Sequence, residues 1–413
     1  MIFYLNRKSI LYNMSDEWPI IPREHYLSLI WKQIDAPFIK VIAGIYRCGK
    51  TAIVDEFCKR LISAGVSQDD IIFIKTDDRN DISCVESLTS RIESLTECCS
   101  GKYVILDGID EIFNWEKSAI QLFEKGFDVF VTVPNRRISS ELSERSVIID
   151  ILPLTFSEYS RFRSNCSNEV ILNDYIKSGG LPVVAVLQDM CEKILIPNLI
   201  SDSFYTIYAK ELVDQYNIRD TKSLMGLVKY IMKNIGERIS PRKAAEFITD
   251  SGNKVSHVTV EKYIRHLEDS MLIFRVRHFN PVTGKYVATS DKLYATDLGI
   301  RNLIVPFRPG DIDGILENVI YNELRYRFEE VAVCDVNGME IDFVVNYSSK
   351  PEYFQVCYSL NSQDVVEREI RPFRVIEDSY PKTVITYERY ILDDIDGVRV
   401  VSILDWLTEN NDS

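Results

Sequence analysis

Residues 44–51 read Gly-Ile-Tyr-Arg-Cys-Gly-Lys-Thr, a full-length G-x-x-x-x-G-K-T run. It follows the apolar stretch Phe38-Ile39-Lys40-Val41-Ile42-Ala43, which reads as a strand, and leads into a helix-like stretch from Ala52. In that strand–loop–helix context the run is a phosphate cradle, because successive backbone N–H groups at a helix N-terminus point at an anion. Glycines at 44 and 49 let the backbone take the φ/ψ values this needs. The span Gly44, Ile45, Tyr46, Arg47, Cys48, Gly49, Lys50, Thr51 and Ala52 is therefore the expected nucleotide contact. Lys50 would reach the β/γ-phosphates and the Thr51 hydroxyl would ligate Mg²⁺, so ATP with Mg²⁺ is the expected ligand pair.

Working outward, Ile71-Ile72-Phe73-Ile74 reads as a second buried strand, and Tyr103-Val104-Ile105-Leu106-Asp107 as a third that ends in a carboxylate. Downstream of a phosphate loop, Asp107 is expected on the metal side, with Thr51. Turnover needs a further group to orient water. Gly108 follows Asp107 directly, and Asp110 and Glu111 come next. These two acids either reach the attacking water or simply suit the positive end of a helix. A fourth run, Val129-Phe130-Val131-Thr132-Val133, offers Thr132 and, past Pro134, Asn135 as γ-phosphate or water contacts, or as turn caps. A fifth strand, Val147 to Ile151, leads to Ser157 as an expected helix N-cap.

The 413 residues exceed one ordinary core, and 46% hydrophobic with 27% charged residues is a globular composition. No apolar run approaches the roughly 18 to 20 residues of a bilayer span, and the short apolar start before Asn6-Arg7-Lys8 is not a signal-peptide core. Nine cysteines without C-x-x-C spacing suggest neither zinc nor a disulfide framework, and Cys98-Cys99 reads as two free thiols. A reducing, cytoplasmic setting is expected. The formal charge of −14 argues against indiscriminate coating of nucleic acid.

Further on, Ser240 reads as the N-cap of a helix starting at Pro241, Gly252-Asn253 as a turn, Val258 to Leu267 as a second helix, and Met271 to Val276 as a strand. That order describes a winged helix-turn-helix. Between Lys233 and Arg277, nine basic residues (233, 238, 242, 243, 254, 262, 265, 275, 277) face six acidic ones (237, 246, 250, 261, 268, 269), a local balance of +3. Duplex DNA would meet Thr259, Lys262 and Arg265 first; the competing reading is a protein-docking module with a solvated charged face.

These residues together resemble a prokaryotic family of AAA-type P-loop ATPases joined to a C-terminal domain of unknown function (AAA plus DUF4143-like). The resemblance rests on Ile21-Pro22-Arg23, Gly44 to Thr51, Leu106-Asp107, Asn114-Trp115-Glu116, Leu152 to Phe156 with Glu158, Gly179-Gly180-Leu181-Pro182, Tyr263-Ile264, Leu267-Glu268-Asp269 and Glu317-Asn318. It implies a helical lid that contains the 179–182 glycines, flexible enough to follow nucleotide. It also implies that Arg145 occupies a place near the nucleotide or a neighbouring subunit. The family usually has a glutamate at Gly108 and a Gly-Ser-Asn type segment at Val133-Pro134-Asn135, so slow hydrolysis is expected.

The C-terminal order, a glutamate on the Gly314–Leu324 helix, Asp342 on a strand, then Gln355-x-Cys357 on another, resembles the restriction-endonuclease-like fold. Active members carry an acid-x-lysine pair where this chain has Gln355 and Cys357, so a silent scaffold is expected. The expected α/β architecture is thus a P-loop AAA-type core over 1–156, a helical lid over 157–205, a winged helix-turn-helix over 206–280 and a nuclease-like domain over 281–413. The expected function is a slow ATPase that couples nucleotide state to contact with DNA, a protein partner or a second copy of itself. The alternative is a nucleotide-gated interaction scaffold that does not bind DNA; an active Mg²⁺-dependent nuclease is the third reading.

Overall fold

Ile39–Ala43 (β1) is buried at all five positions, as a strand covered on both faces must be. Its one charged residue, Lys40, is fully buried and satisfied: Nζ donates to Asp128 and to the Ala36 carbonyl at 2.8 Å. A computed structural model describes residues 21–75, 102–112, 114–163 and 166–409, apart from the Glu111 side chain. The Cys98-Cys99 pair lies outside these residues. The chain divides into two compact units, residues 1–152 with 269–271, and residues 153–268 with 272–413.

In the first unit, Glu24–Trp31 (α1) precedes β1, and Lys50–Ser63 (α2) follows the phosphate loop. Ile71–Lys75 (β2), Tyr103–Asp107 (β3), Trp115–Glu124 (α3), Asp128–Val133 (β4), Ser140–Ser143 (α4) and Ser146–Asp150 (β5) complete it. The five strands form a parallel sheet in the order β2-β3-β4-β1-β5. β4 therefore lies between the strand that feeds the phosphate loop and the strand that ends in Asp107. This interleaving brings three sequence-distant segments to one C-terminal sheet edge, where ligands bind in open parallel sheets.

The second unit opens with helices Phe156–Ser160 (α5), Asn168–Ser178 (α6), Pro182–Asp189 (α7) and Ile196–Thr206 (α8), the last running on through a wider π-helical turn, Ile207–Asp214. The N-cap of α5 is Thr155 and not Ser157: Thr155 Oγ1 accepts from the Glu158 N–H at 3.4 Å, and Glu158 Oε2 accepts from the Thr155 N–H at 3.2 Å. This reciprocal box satisfies two helix-end donors, which a cap two residues later could not. The 179–182 glycines serve packing as well as turning. A Cβ on Gly180 would lie 2.2 Å from the Leu154 carbonyl oxygen, and one on Gly179 would lie 2.4 Å from Asp297.

Thr221–Lys233 (α9), Pro241–Asp250 (α10) and His257–Asp269 (α11) follow, with Ser240 capping α10 and Ser256 Oγ accepting from the Thr259 N–H at 3.1 Å. Ile273–Val276 (β6) pairs antiparallel with Lys292–Ala295 (β9). Between them, His278–Asn280 (β7) and Lys285–Tyr286 (β8) form a hairpin that belongs elsewhere, because β7 pairs parallel with Val331–Val336 (β10). The resulting eight-stranded sheet runs β8-β7-β10-β11-β12-β13-β15-β14, with Met339–Val345 (β11), Glu352–Cys357 (β12), Lys382–Thr386 (β13), Asp394–Ile395 (β14) and Val398–Ser402 (β15). It crosses residue 280, joining the segments that the sequence reading treats as winged-helix and nuclease-like domains. Leu298–Ile304 (α12), Ile312–Arg327 (α13), Gln363–Arg374 (α14) and Ile403–Thr408 (α15) accompany it. No described helix is long and apolar enough to cross a membrane.

Candidate nucleotide site

The two loop glycines are needed for different reasons. Gly49, at φ 101°, starts α2 from left-handed backbone, and Arg47 within the loop is also left-handed at φ 66°. Gly44 is a matter of space: a Cβ there would sit 2.5 Å from the Ile151 carbonyl oxygen and 2.6 Å from Cys48 Sγ. Lys50 Nζ folds back to donate to the carbonyls of Gly44 (2.7 Å) and Ile45 (3.2 Å). An ammonium held only by neutral carbonyls is free to exchange them for phosphate oxygens, a stronger charge-assisted contact.

Across the loop, Asp107 is almost fully buried and accepts a hydrogen bond on each oxygen. Thr51 Oγ1 donates to Oδ2 at 2.7 Å, and Thr132 Oγ1 donates to Oδ1 at 2.5 Å. Thr132 in turn accepts from the Gly108 N–H at 2.8 Å, so its single proton is committed to Asp107. The structure thus brings Lys50, Thr51, Asp107 and Thr132 together. Thr51 and Asp107 are hard oxygen groups that could hold Mg²⁺, an ion that keeps several waters and takes phosphate oxygens beside one or two protein ligands.

The other candidates separate. Asn135 is buried and its Oδ1 accepts from the Arg137 N–H at 2.9 Å, the contact of a turn cap. Asp110 is exposed on the short turn Ile109–Glu111; the Glu111 side chain lies outside the described residues. Arg145 is not brought to the loop. It immediately precedes β5, its carbonyl accepts from the Ile39 N–H at 2.8 Å, and its guanidinium pairs with Glu141 at 3.2 Å. Ile39 begins β1 while the loop follows its end, so Arg145 lies at the opposite sheet edge.

Gly108 adopts φ 71°, the left-handed region. A glutamate there would carry a side chain on backbone that only glycine takes freely. Gly108→Glu is therefore expected to cost about 1 kcal/mol in stability, seen as a lower melting temperature of the nucleotide-free protein; an unchanged transition would contradict this.

Two arginines make contacts that no motif specifies. Buried Arg23 donates from Nη1 to the carbonyls of Cys48 (3.1 Å) and Leu152 (2.8 Å), with its guanidinium 4.4 Å from the Tyr26 ring centroid. It ties the phosphate loop to the chain leaving β5. Arg136, just past β4, forms a two-pronged pair with Asp150 at the end of β5, Nε to Oδ1 being 2.8 Å. Neither pair carries a local signal, since the partners are distant in sequence.

In the second unit, Thr259 shares a hydroxyl contact with Ser256 at 2.9 Å, while Lys262 and Arg265 are exposed on α11 on the same face as Val258, which is 67% exposed. Arg265 pairs with Glu261 at 3.4 Å. Gln355, at the metal-side position of the nuclease-like order, spends its amide elsewhere: Oε1 accepts from the Asp342 N–H at 3.1 Å and Nε2 donates to Glu369 at 2.8 Å. Cys357 is a buried thiol whose pKa burial pushes up.

Two family models match. Residues 36–160 match an AAA domain, and residues 170–310 match a domain of unknown function, DUF8612, a different one from the DUF4143-like domain anticipated by resemblance. The first unit therefore carries a P-loop domain of AAA type. Among relatives, an uncharacterized protein of Haemophilus influenzae is 26% identical over 405 residues, 94% of this chain and 99% of that one. An uncharacterized protein of Methanocaldococcus jannaschii is 28% identical over 363 residues, 82% of this chain and 79% of that one. Among solved structures, the Walker-type ATPase PABY2304 of Pyrococcus abyssi superposes with a TM-score of 0.48 and 11% identity, over 68% of this chain and 95% of that chain.

Proposed function

We propose that the chain is an ATP- and Mg²⁺-binding, slowly hydrolysing ATPase of the cytoplasm that couples nucleotide state to contact with duplex DNA or a protein partner through the α10–α11 segment. The observation that carries the nucleotide half is the shared hydrogen bonding of Asp107 by Thr51 and Thr132 beside Lys50. A Mg²⁺ ion bound with the nucleotide would supply charge neutralisation at the phosphates. Lys50 would add the ammonium, the loop amides would hold the β-phosphate, and Thr132 would hold Asp107 in place. With glycine at 108, no acid follows Asp107 directly to orient water, which favours slow turnover.

For the second half, Thr259, Lys262 and Arg265 on α11 suit phosphate contact by a helix-turn-helix, with α11 as the second helix. The scaffold alternative draws on a specific observation. Arg275 is surrounded by Glu261 (3.0 Å), Glu268 (3.3 Å) and Asp291 (3.7 Å), and Asp291, outside the counted span, takes one unit from its +3 balance. The nuclease reading finds little support in a Gln355 amide already engaged on both sides.

The test is phosphate release and fluorescence anisotropy with the full chain, with and without unrelated duplexes over a salt series. Replacing both Lys262 and Arg265 with alanine is expected to weaken duplex binding about tenfold on every sequence and to reduce the salt slope by about 2. No duplex binding by the wild type at low salt, with or without ATP, would favour the docking scaffold.

A further inference from the structure

The front of α11 carries an apolar side chain on a charged face. Along His257–Asp269, the side chains of Val260, Tyr263, Ile264 and Leu267 are buried. The opposite stripe is Val258, Lys262 and Arg265, spaced i, i+4 and i+7 and all exposed. A single exposed valine is ordinary on a protein surface, but this one is 67% exposed and stands one turn ahead of Lys262 on the same face. Phe247, the other exposed large apolar side chain of α10 and α11, has its ring against Tyr230 at a centroid distance of 5.1 Å.

The polar groups beside Val258 are engaged with one another. Ser256 Oγ accepts from the Thr259 N–H at 3.1 Å, and the two hydroxyls lie 2.9 Å apart. Glu261, the first acid of the helix, is drawn to Arg275 at 3.0 Å and pairs with Arg265 at 3.4 Å. From the front backwards, the helix therefore presents His257 and Val258, then Lys262 and Arg265. At about 1.5 Å of rise per residue, Lys262 and Arg265 follow Val258 by about 6 and 10 Å. A helix docked in a major groove sets its front residues against base edges and leaves later basic residues to the backbone. The donors and acceptors of that groove offer nothing to an isopropyl group. Its one apolar feature is the C5-methyl of thymine, a group that 5-methylcytosine shares.

We propose that Val258 is a specificity-determining residue, packing its isopropyl group on a pyrimidine C5-methyl in the major groove while Lys262 and Arg265 hold the flanking phosphates. This rests on the duplex reading of α11 and adds to it the base-edge group that the helix selects. The two cations fix the helix on any duplex. Val258 supplies the difference between one base pair and another.

The test uses the full chain and two randomised duplex pools, one made with cytosine and one with 5-methylcytosine. The tightest binders are remade one base at a time without the methyl group, with deoxyuridine for thymidine or cytosine for 5-methylcytosine, and affinities are read by fluorescence anisotropy. Removing the contacted methyl is expected to weaken wild-type binding about fourfold, the value of one buried methyl-sized group. The arm in which this ratio arises names its source. Val258→Ser should bind the methylated and methyl-free forms alike, whereas Lys262→Ala should weaken both and keep the fourfold ratio. Val258 is exposed, so its replacement leaves the core intact, and a melting curve checks this. The proposal is overturned if the wild type binds equally with and without the methyl in both arms, or if Val258→Ser keeps the ratio. Equal binding would leave the duplex reading standing and remove only the Val258 contact; no binding to any duplex at low salt would overturn both.

Discussion

Lys50→Ala should lose Mg²⁺-ATP binding by roughly a hundredfold or more, because a lysine bridging two phosphates forfeits two charge-assisted hydrogen bonds worth about 1.5–3 kcal/mol each. The fold should not suffer. The Lys50 ammonium donates to the Gly44 and Ile45 carbonyls, both within its own loop. Calorimetric titration beside a melting curve separates the two effects. Equal affinity in the variant would remove the basis for reading residues 44–51 as a nucleotide site.

The second large effect is expected at Asp297. Its Oδ1 caps α12 by accepting from the Ile300 N–H at 2.9 Å, and its Oδ2 accepts from the Gly180 N–H at 2.8 Å, 117 residues away. Asp297→Ala removes a helix cap and leaves a buried N–H without its partner. Together these should cost roughly 2–4 kcal/mol near pH 5. Burial raises the Asp297 carboxyl from 3.8 to about 6, its four backbone N–H contacts only partly offsetting this. The folded state therefore holds the proton more tightly than the unfolded one. Stability from this group is fully present below about pH 4 and is lost as pH rises through about 6. The gap in melting temperature between wild type and Asp297→Ala should accordingly narrow between pH 4 and pH 7, measured by calorimetry at a series of pH values. A gap that widens with pH would show that the hydrogen bonds outweigh burial and that the carboxylate is favoured in place.

The elements that carry this chemistry were legible where the signal is local. An apolar run before a glycine–lysine loop, or an apolar run ending in aspartate, reports backbone periodicity and turn chemistry directly, and β1, β3 and the start of α2 fall within a residue or two of the expectation. What stayed hidden depends on the order of strands in space. That β4 lies between β1 and β3, so that Thr132 meets Asp107, follows from pairing between strands remote in sequence. Arg23 reaches Leu152 across 129 residues, and Lys292 reaches Asp342 across 50. The glycines at 179 and 180 suggested a hinge because loss of a side chain looks like freedom from sequence. In the fold the same absence admits the Asp297 carboxylate and the Leu154 carbonyl at close range. Of the two places that family resemblance implies for Arg145, the one near its own loop is not found, because its position before β5 carries it to the far end of the sheet.

The β7–β8 hairpin bears on how this protein can be taken apart. It leaves the β6/β9 pair to become the terminal strands of the eight-stranded sheet, shielding the outer edge of β10. A fragment beginning after residue 280 would keep β10 but lose the strand paired to it, exposing a row of unpaired amides and carbonyls of the kind that recruits other chains. A fragment ending at 280 would lose β9, and with it both the partner of β6 and Lys292, the buried partner of Glu317, Glu340 and Asp342. Gene fusions, swaps between relatives or recombination within this chain would therefore need to carry residues 273–402 as one inherited block, whatever use the helices before it are put to.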